Sequence, residues 1–443
     1  MARTSSSSML PEGGTTLGTL EPQSPSSATT DPRRGKPSAP PAALTDRREI
    51  EGENRMNNFV YEIPTKVYFG ENQLSHLGPE LSRFGKRVLL TYGGGSIKKS
   101  GLYDKVVAEI RAAGLTLFEL SGIAPNPHIG SVREGAKICK EERIDVLLAV
   151  GGGSTLDATK FMAAGACVDF DPWKFFSEEA PIEDALPIVT VLTHAAAGSE
   201  MDFGGVISNP ETQDKIGRLA PPLLPKVSFL DPTNTYSVGA YQTACGAVDM
   251  ISHILEVYFN MDQDLQMLDG VMEALLKNIL RYAPMAMSQP DHYEARANLM
   301  WASSWAINGF VNGGKRQAWS CHPLEHELSA IYDITHGLGL AILTPRWMEY
   351  TLDETTLSKF VQFGVNVFGI DASLPPRDVA QRGIELLSRF FFETLGLKSR
   401  LGAIGIDDRH FALMAKKACG GGVLPGFKPL NQGDIEKIYR MCL

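Results

Sequence analysis

The sequence predicts an α/β domain built on a parallel sheet, followed by an all-helical domain. Three observations carry this. Strand-like and helix-like segments alternate from Met56 to about residue 236; two glycine turns each follow an apolar strand and precede a helix; and from about Tyr241 onward strand patterns give way to long amphipathic stretches. Alternating β and α elements pack helices on both faces of a Rossmann-like sheet. The expected boundaries are a tail over 1–55, the α/β domain over 56–237 and the helical domain over 238–443.

The elements follow in chain order. Lys86–Tyr92 (KRVLLTY) is a Leu- and Val-rich run, and Gly93-Gly94-Gly95-Ser96 ends it before a helical stretch from Gly101 to Ala113. Thr116–Glu119 reads as a short strand and Ile129–Glu142 as a helix. Asp145–Val150 (DVLLAV) is apolar after its first residue, as a strand buried on both faces requires. Gly151-Gly152-Gly153-Ser154 and another helix come next, and Pro187–Thr193 and Lys226–Leu230 add strands. Ala244–Phe259, Leu265–Ala283, Ala295–Phe310 and Arg377–Leu395 then carry helical periodicity. The junction of two such domains is a natural ligand cleft.

Composition excludes several classes. Lys and Arg total 42 against 51 Asp and Glu, a net charge of −9, which argues against a nucleic-acid partner. No uninterrupted apolar run of about 18 residues is present, so no membrane span is expected. Six scattered cysteines without a CxxC form no disulfide framework and point to a reducing, cytoplasmic compartment. Residues 1–55 are rich in Ser, Thr, Pro and Gly and contain no aromatic residue, so they read as a disordered tail or an upstream-extended start. They lack the apolar core of a secretory signal, and their acids match their bases, unlike a transit peptide.

The glycine turns suggest a dinucleotide. Small residues between strand and helix let the backbone approach a phosphate, and the helix N-terminus offers free N–H groups. A tight turn without a ligand would use the same residues, and the GxGxxG pattern is absent. After the first turn come Lys98 and Lys99, with no carboxylate in the turn to repel a 2′-phosphate. That favours NADP(H) over NAD, unless the lysines are simply solvated.

A second constellation suggests a metal. Asp249 and His253 stand four apart in a helical run and share one face. His322, His326 and His336 lie in and after CHPLEHELSAIYDITHG. One carboxylate with imidazoles suits Fe(II), Zn(II) or a similar ion, although each histidine alone serves equally as a satisfied polar residue. A dinucleotide beside a Lewis acid invites hydride exchange between a nicotinamide and an alcohol or carbonyl carbon. A histidine outside the ligand set, His326, would pass the proton to solvent.

Together these residues resemble the iron-containing (group III) alcohol dehydrogenase family, most closely its NADPH-dependent butanol dehydrogenase and aldehyde reductase branch. The resemblance runs from about Met56 to the C-terminus through VLLTYGGGSIKKSG, LLAVGGGSTLDATKFMAA, VLTHAAAGSE, FLDPTNTY, ACGAVDMISHILE and HPLEHELSAIYDITHGLGLAIL. It implies a dehydroquinate synthase-like architecture, with a dinucleotide-binding first domain and a metal-binding second one, and a homodimer. It implies Asp249, His253, His322 and His336 as metal ligands and His326 as proton relay. Gly94 and Ser96 would hold the adenosine end, and Asn126 would sit in the matching APNP segment. Gly152, Gly153 and Ser154 would hold the pyrophosphate, with Asp157 following. Thr193, Ser199 and Lys215 would line the phosphate and nicotinamide-ribose region.

The chain departs from the family at Ala197, where a threonine is usual, at His194 and Ala195, and at Asp202, whose charge would call for a partner such as Lys215. Two other readings therefore stand beside the alcohol dehydrogenase. One is a glycerol-dehydrogenase-like polyol oxidoreductase of the same superfamily, and the other is a metal-binding homologue that has lost catalysis.

Overall fold

The computed structural model describes residues 56–262, 265–315 and 318–443. The tail expected over 1–55 lies outside the described residues. Eight strands form in the first half: β1 (Lys66–Phe69), β2 (Arg87–Tyr92), β3 (Thr116–Leu120), β4 (Val146–Gly151), β5 (Ile188–Leu192), β6 (Gly204–Asn209), β7 (Asp214–Leu219) and β8 (Val227–Leu230). Six make a sheet in the order β1-β8-β5-β4-β2-β3, and every neighbouring pair is parallel. Successive side chains of a strand face opposite sides, and both sides are covered here. Leu89 and Leu147 pack with Phe161 and Met162 on one face, while Val88, Leu90, Val146 and Leu148 pack with Val106 and Ile110 on the other. This double burial is why DVLLAV carries no polar alternation.

β3 lies on one side of β2 and β4 on the other. The chain therefore reverses its winding between β2 and β4, and both glycine turns leave the sheet at the carboxyl ends of these two strands. Open α/β sheets bind ligands at this crevice.

The structure corrects the strand reading in three places. β1 was not anticipated. β6 and β7 form a separate antiparallel hairpin, registered from Gly204 opposite Leu219 to Asn209 opposite Asp214. The helical half also contains a short antiparallel pair, β9 (Val423–Leu424) with β10 (Leu430–Asn431). Its main elements are helices, including Ala240–Tyr258, Gln266–Ser288, Tyr293–Ile307, Cys321–Tyr332, His336–Thr351 and Pro376–Arg389. The first starts four residues before its apolar pattern does, at Ala240 rather than Ala244, because Ala240, Tyr241 and Gln242 in its opening turn are exposed. Among the described residues, no helix is long and apolar enough to cross a membrane.

Candidate active site between the sheet and the helical half

Asp249 and His253 lie one turn apart on the Ala240–Tyr258 helix, as their spacing requires. His322 and His326 sit on the Cys321–Tyr332 helix, and His336 opens the next one. Close backbone approach brings these helices together. A Cβ on Gly337 would stand 2.1 Å from the carbonyl oxygen of Cys245, so only glycine lets the His336 helix lie against the Asp249 helix.

Three imidazoles converge on one carboxylate oxygen. Asp249 Oδ1 lies 3.4 Å from His253 Nε2, 3.7 Å from His322 Nε2 and 3.5 Å from His336 Nε2. The His253 and His322 rings stack at 4.8 Å, and Trp319 stands edge-on to both. Asp249 Oδ1 and His322 Nε2 are buried without a hydrogen-bond partner among the described residues. Burial alone would raise the Asp249 carboxyl, but the three imidazoles hold it well below the usual carboxylate range. Burial pushes His253 down to about 3, leaving it neutral. Burial acts the same way on His322, yet Asp249 and Glu256 on either side lift it to about 9. A buried donor set that favours positive charge between its carboxylates fits a divalent cation. The side chains of Asp249, His253 and His322 are 5–8% exposed and that of His336 is 26% exposed, so the set is open on the His336 side. Catalytic metal sites keep such an open position.

Two carboxylates that sequence reasoning missed orient the imidazoles. Glu256 Oε1 accepts from His322 Nδ1 at 3.0 Å and from the His322 amide at 2.8 Å, and its Oε2 accepts the Ser320 amide at 2.6 Å. Glu325 Oε2 accepts from His336 Nδ1 and Oε1 accepts from the Ser329 hydroxyl. A donated Nδ1–H leaves Nε2 as the lone-pair donor, which is how partners of this kind fix ligand tautomers. The signal was present: Glu256 falls three residues after His253 on the same helix face, and Glu325 three after His322. His326 lies beside the set, with its ring 5.8 Å from that of His336. Burial first, then the neighbouring Lys215 ammonium, holds it well below the ordinary histidine value, so it is neutral.

The residues assigned to a cofactor gather at the carboxyl edge of the sheet. Gly152 caps the Gly153–Gly165 helix directly after β4, and Ser154 follows. A Cβ on Gly153 would stand 2.8 Å from the Ala197 Cβ, so two loops meet here at closer range than ordinary side chains permit. The Thr193 amide donates to the Gly151 carbonyl at 2.9 Å, tying the end of β5 to the same turn. Gly94 and Ser96 are exposed after β2, and a Cβ at Gly94 would meet nothing within 4 Å. Asn126 bridges to the helical half, donating to Asp333 Oδ1 at 2.9 Å and to the Ile334 carbonyl at 3.3 Å.

Asp157 and Ser199 engage each other at 2.6 Å, and Asp157 also accepts the Val206 amide at 3.0 Å. Burial raises the Asp157 carboxyl to about 6. The expected partner of Asp202 is corrected. It is Lys160, fully buried, that donates to Asp202 Oδ1 at 2.5 Å and to the Asp202 and Gly204 carbonyls at 3.1 and 2.6 Å. Lys215 points instead to the histidine cluster, with Nζ 3.2 Å from Glu325 Oε2 and 3.3 Å from His336 Nδ1. One carboxylate was also overlooked near the first turn. Glu119, on β3, accepts the Tyr92 and Tyr103 hydroxyls at 3.0 and 2.8 Å, and Lys98 rests over both rings.

The chain is similar to known proteins over most of its length. Residues 64–232 match the family model described as iron-containing alcohol dehydrogenase, and 243–443 match its Fe-containing C-terminal counterpart. The NADH-dependent butanol dehydrogenase A of Clostridium acetobutylicum is 47% identical over 387 residues, covering 87% of this chain and 99% of that protein. The NADPH-dependent aldehyde reductase YqhD of Escherichia coli is 36% identical over 366 residues, covering 82% of this chain and 93% of that protein. The crystal structure of NADH-dependent butanol dehydrogenase A from Thermotoga maritima superposes with a TM-score of 0.84 at 37% identity, covering 88% of this chain and all of that one. The chain belongs to the iron-containing alcohol dehydrogenase family. It is an NAD(P)-dependent oxidoreductase of the alcohol dehydrogenase class.

Proposed function

We propose that the protein transfers hydride between NADP(H) and a small alcohol or aldehyde, with Asp249, His253, His322 and His336 holding one divalent ion, Fe(II) or Zn(II). The observation that carries this is the convergence of three imidazole nitrogens within 3.4–3.7 Å of one buried, unpartnered carboxylate oxygen. When bound, such an ion supplies Lewis-acid polarisation of a carbonyl oxygen.

The chain's own residues do the rest. Gly152, Gly153 and Ser154 take the pyrophosphate on backbone N–H groups at a helix N-terminus. Gly94 and Ser96 hold the adenosine end, with Lys98 and Lys99 as cations for a 2′-phosphate. Asn126, Asp157, Thr193, Ser199 and Lys215 line the remainder. In the reducing direction His326 would relay the proton that the carbonyl oxygen takes up, and a bound NADPH would supply the hydride, so aldehyde, NADPH and H⁺ would give alcohol and NADP⁺.

NADPH oxidation over a panel of short aldehydes tests this reading, and a metal-loaded protein inactive across the panel contradicts it. The relatives named for NADH favour NAD as a second reading, and the ratio of kcat/KM for NADPH and NADH separates the two. We also propose a cytoplasmic homodimer, supported by six free cysteines and by Phe59 and Val60, which are 55% and 95% exposed. A monomer in sedimentation would overturn the dimer, and secretion on cell fractionation would overturn the location.

A further inference from the structure

We propose that the β6–β7 hairpin latches the metal centre. In this account Lys215 is a positioning residue whose hold on Glu325 keeps His336 aimed, so that metal retention depends on contact between the sheet half and the helical half. The inference rests on the proposal that Asp249, His253, His322 and His336 hold a divalent ion.

The geometry is specific. Lys215 projects from β7, in the sheet half, with its side chain 4% exposed, and Glu325 on the Cys321–Tyr332 helix is fully buried. A single oxygen, Glu325 Oε2, accepts from both Lys215 Nζ and His336 Nδ1. Lys215 is therefore the second donor that fixes the oxygen to which His336 Nδ1 points. Without it that oxygen would lose the contact that sets its position from the sheet half, and the imidazole would lose its aim.

The other oriented ligand is independent of the hairpin. His322 is held by Glu256, which lies on the same helix as Asp249. The hairpin is itself fastened to the helical half next to Lys215. Lys417 donates to the Gln213 carbonyl at 2.6 Å and pairs with Asp214 at 3.0 Å and Glu327 at 3.1 Å. Movement of β7 away from the Cys321–Tyr332 helix would therefore withdraw the Lys215 charge from Glu325.

The test is the rate at which Zn(II) or Co(II) leaves the folded, loaded protein into excess chelator, with the Co(II) absorption spectrum recorded beforehand. Lys215→Met should release metal at least about tenfold faster, the lower end of the range for partners that orient a ligand, and should alter the Co(II) spectrum. Lys215→Arg should stay within threefold of the wild type. Glu325→Gln tests the link from the other side and keeps it testable where Lys215→Met does not fold. Combined with Lys215→Met, it should add nothing, whereas Glu256→Gln should multiply the effect. Release from Lys215→Met within twofold of the wild type, or full multiplication with Glu325→Gln, overturns the latch alone. A wild-type protein that takes up no metal overturns the underlying site and the latch with it.

Discussion

Replacing Lys160 with methionine removes a buried ammonium from the Gly153–Gly165 helix while keeping most of its apolar stem. Lys160 has no solvent exposure and gives its three bonds to Asp202 Oδ1, the Asp202 carbonyl and the Gly204 carbonyl. Removing one partner of a buried ion pair costs about 3–5 kcal/mol, because the remaining charge is left uncompensated. That is a large share of the roughly 5–15 kcal/mol that keeps an ordinary domain folded. The loss should appear in urea unfolding as a lowered midpoint with an unchanged slope. Asp202→Asn should recover about 2 kcal/mol in the double variant, since the orphaned charge is gone. The segment from Ser199 to Gly204 follows Ala197, which meets Gly153, so under the proposed function the KM for the dinucleotide should rise before kcat falls. A Lys160→Met loss below about 1 kcal/mol, or a double variant whose loss equals the sum of the singles, would refute the reasoning.

Gly153→Ala, which forces a Cβ to within 2.8 Å of that of Ala197, should raise the dinucleotide KM about tenfold; adding Ala197→Gly should restore it in steady-state kinetics. Burial pushes Glu200 up to about 7 from an ordinary 4.5, so the folded state holds a proton there that the unfolded state has lost. Stability from this group is full below about pH 4.5 and is lost as pH rises through about 7, a change of roughly 3 kcal/mol. Glu200→Gln should remove that decline in thermal melts taken from pH 5 to 8. His326→Gln should lower kcat about 10²-fold with metal content unchanged, and added imidazole should recover part of the rate.

Much of the fold was legible because burial leaves a local trace. A strand covered on both faces must be apolar throughout, and Val146–Val150 is, so β4 and its turn followed directly from the residues. Asp249 and His253 were legible for the same reason, as a helix places positions four apart on one face. The β6–β7 hairpin was not legible. GGVISN and DKIGRL are short, interrupted by glycine and only partly buried, so neither alternation nor a continuous apolar run marks them. Pairing across the fold was likewise hidden. Nothing local distinguishes Lys160 from Lys215 as the partner of Asp202, because the choice depends on which side of the segment the Gly153–Gly165 helix packs. Glu256 and Glu325 carried a helical-spacing signal, but a glutamate near a histidine on a helix is too common to stand out until the imidazole directions are known.

In the proposed function, hydride transfer depends on an ion held by Asp249 and the three histidines. Metal content per chain, measured alongside aldehyde-dependent NADPH oxidation in the wild type and in Asp249→Ala, tests it most directly. The wild type should carry one divalent ion per chain and turn over, and a folded Asp249→Ala protein should do neither. Wild-type rates from protein stripped of metal, or an Asp249→Ala variant that keeps both ion and activity, would contradict it.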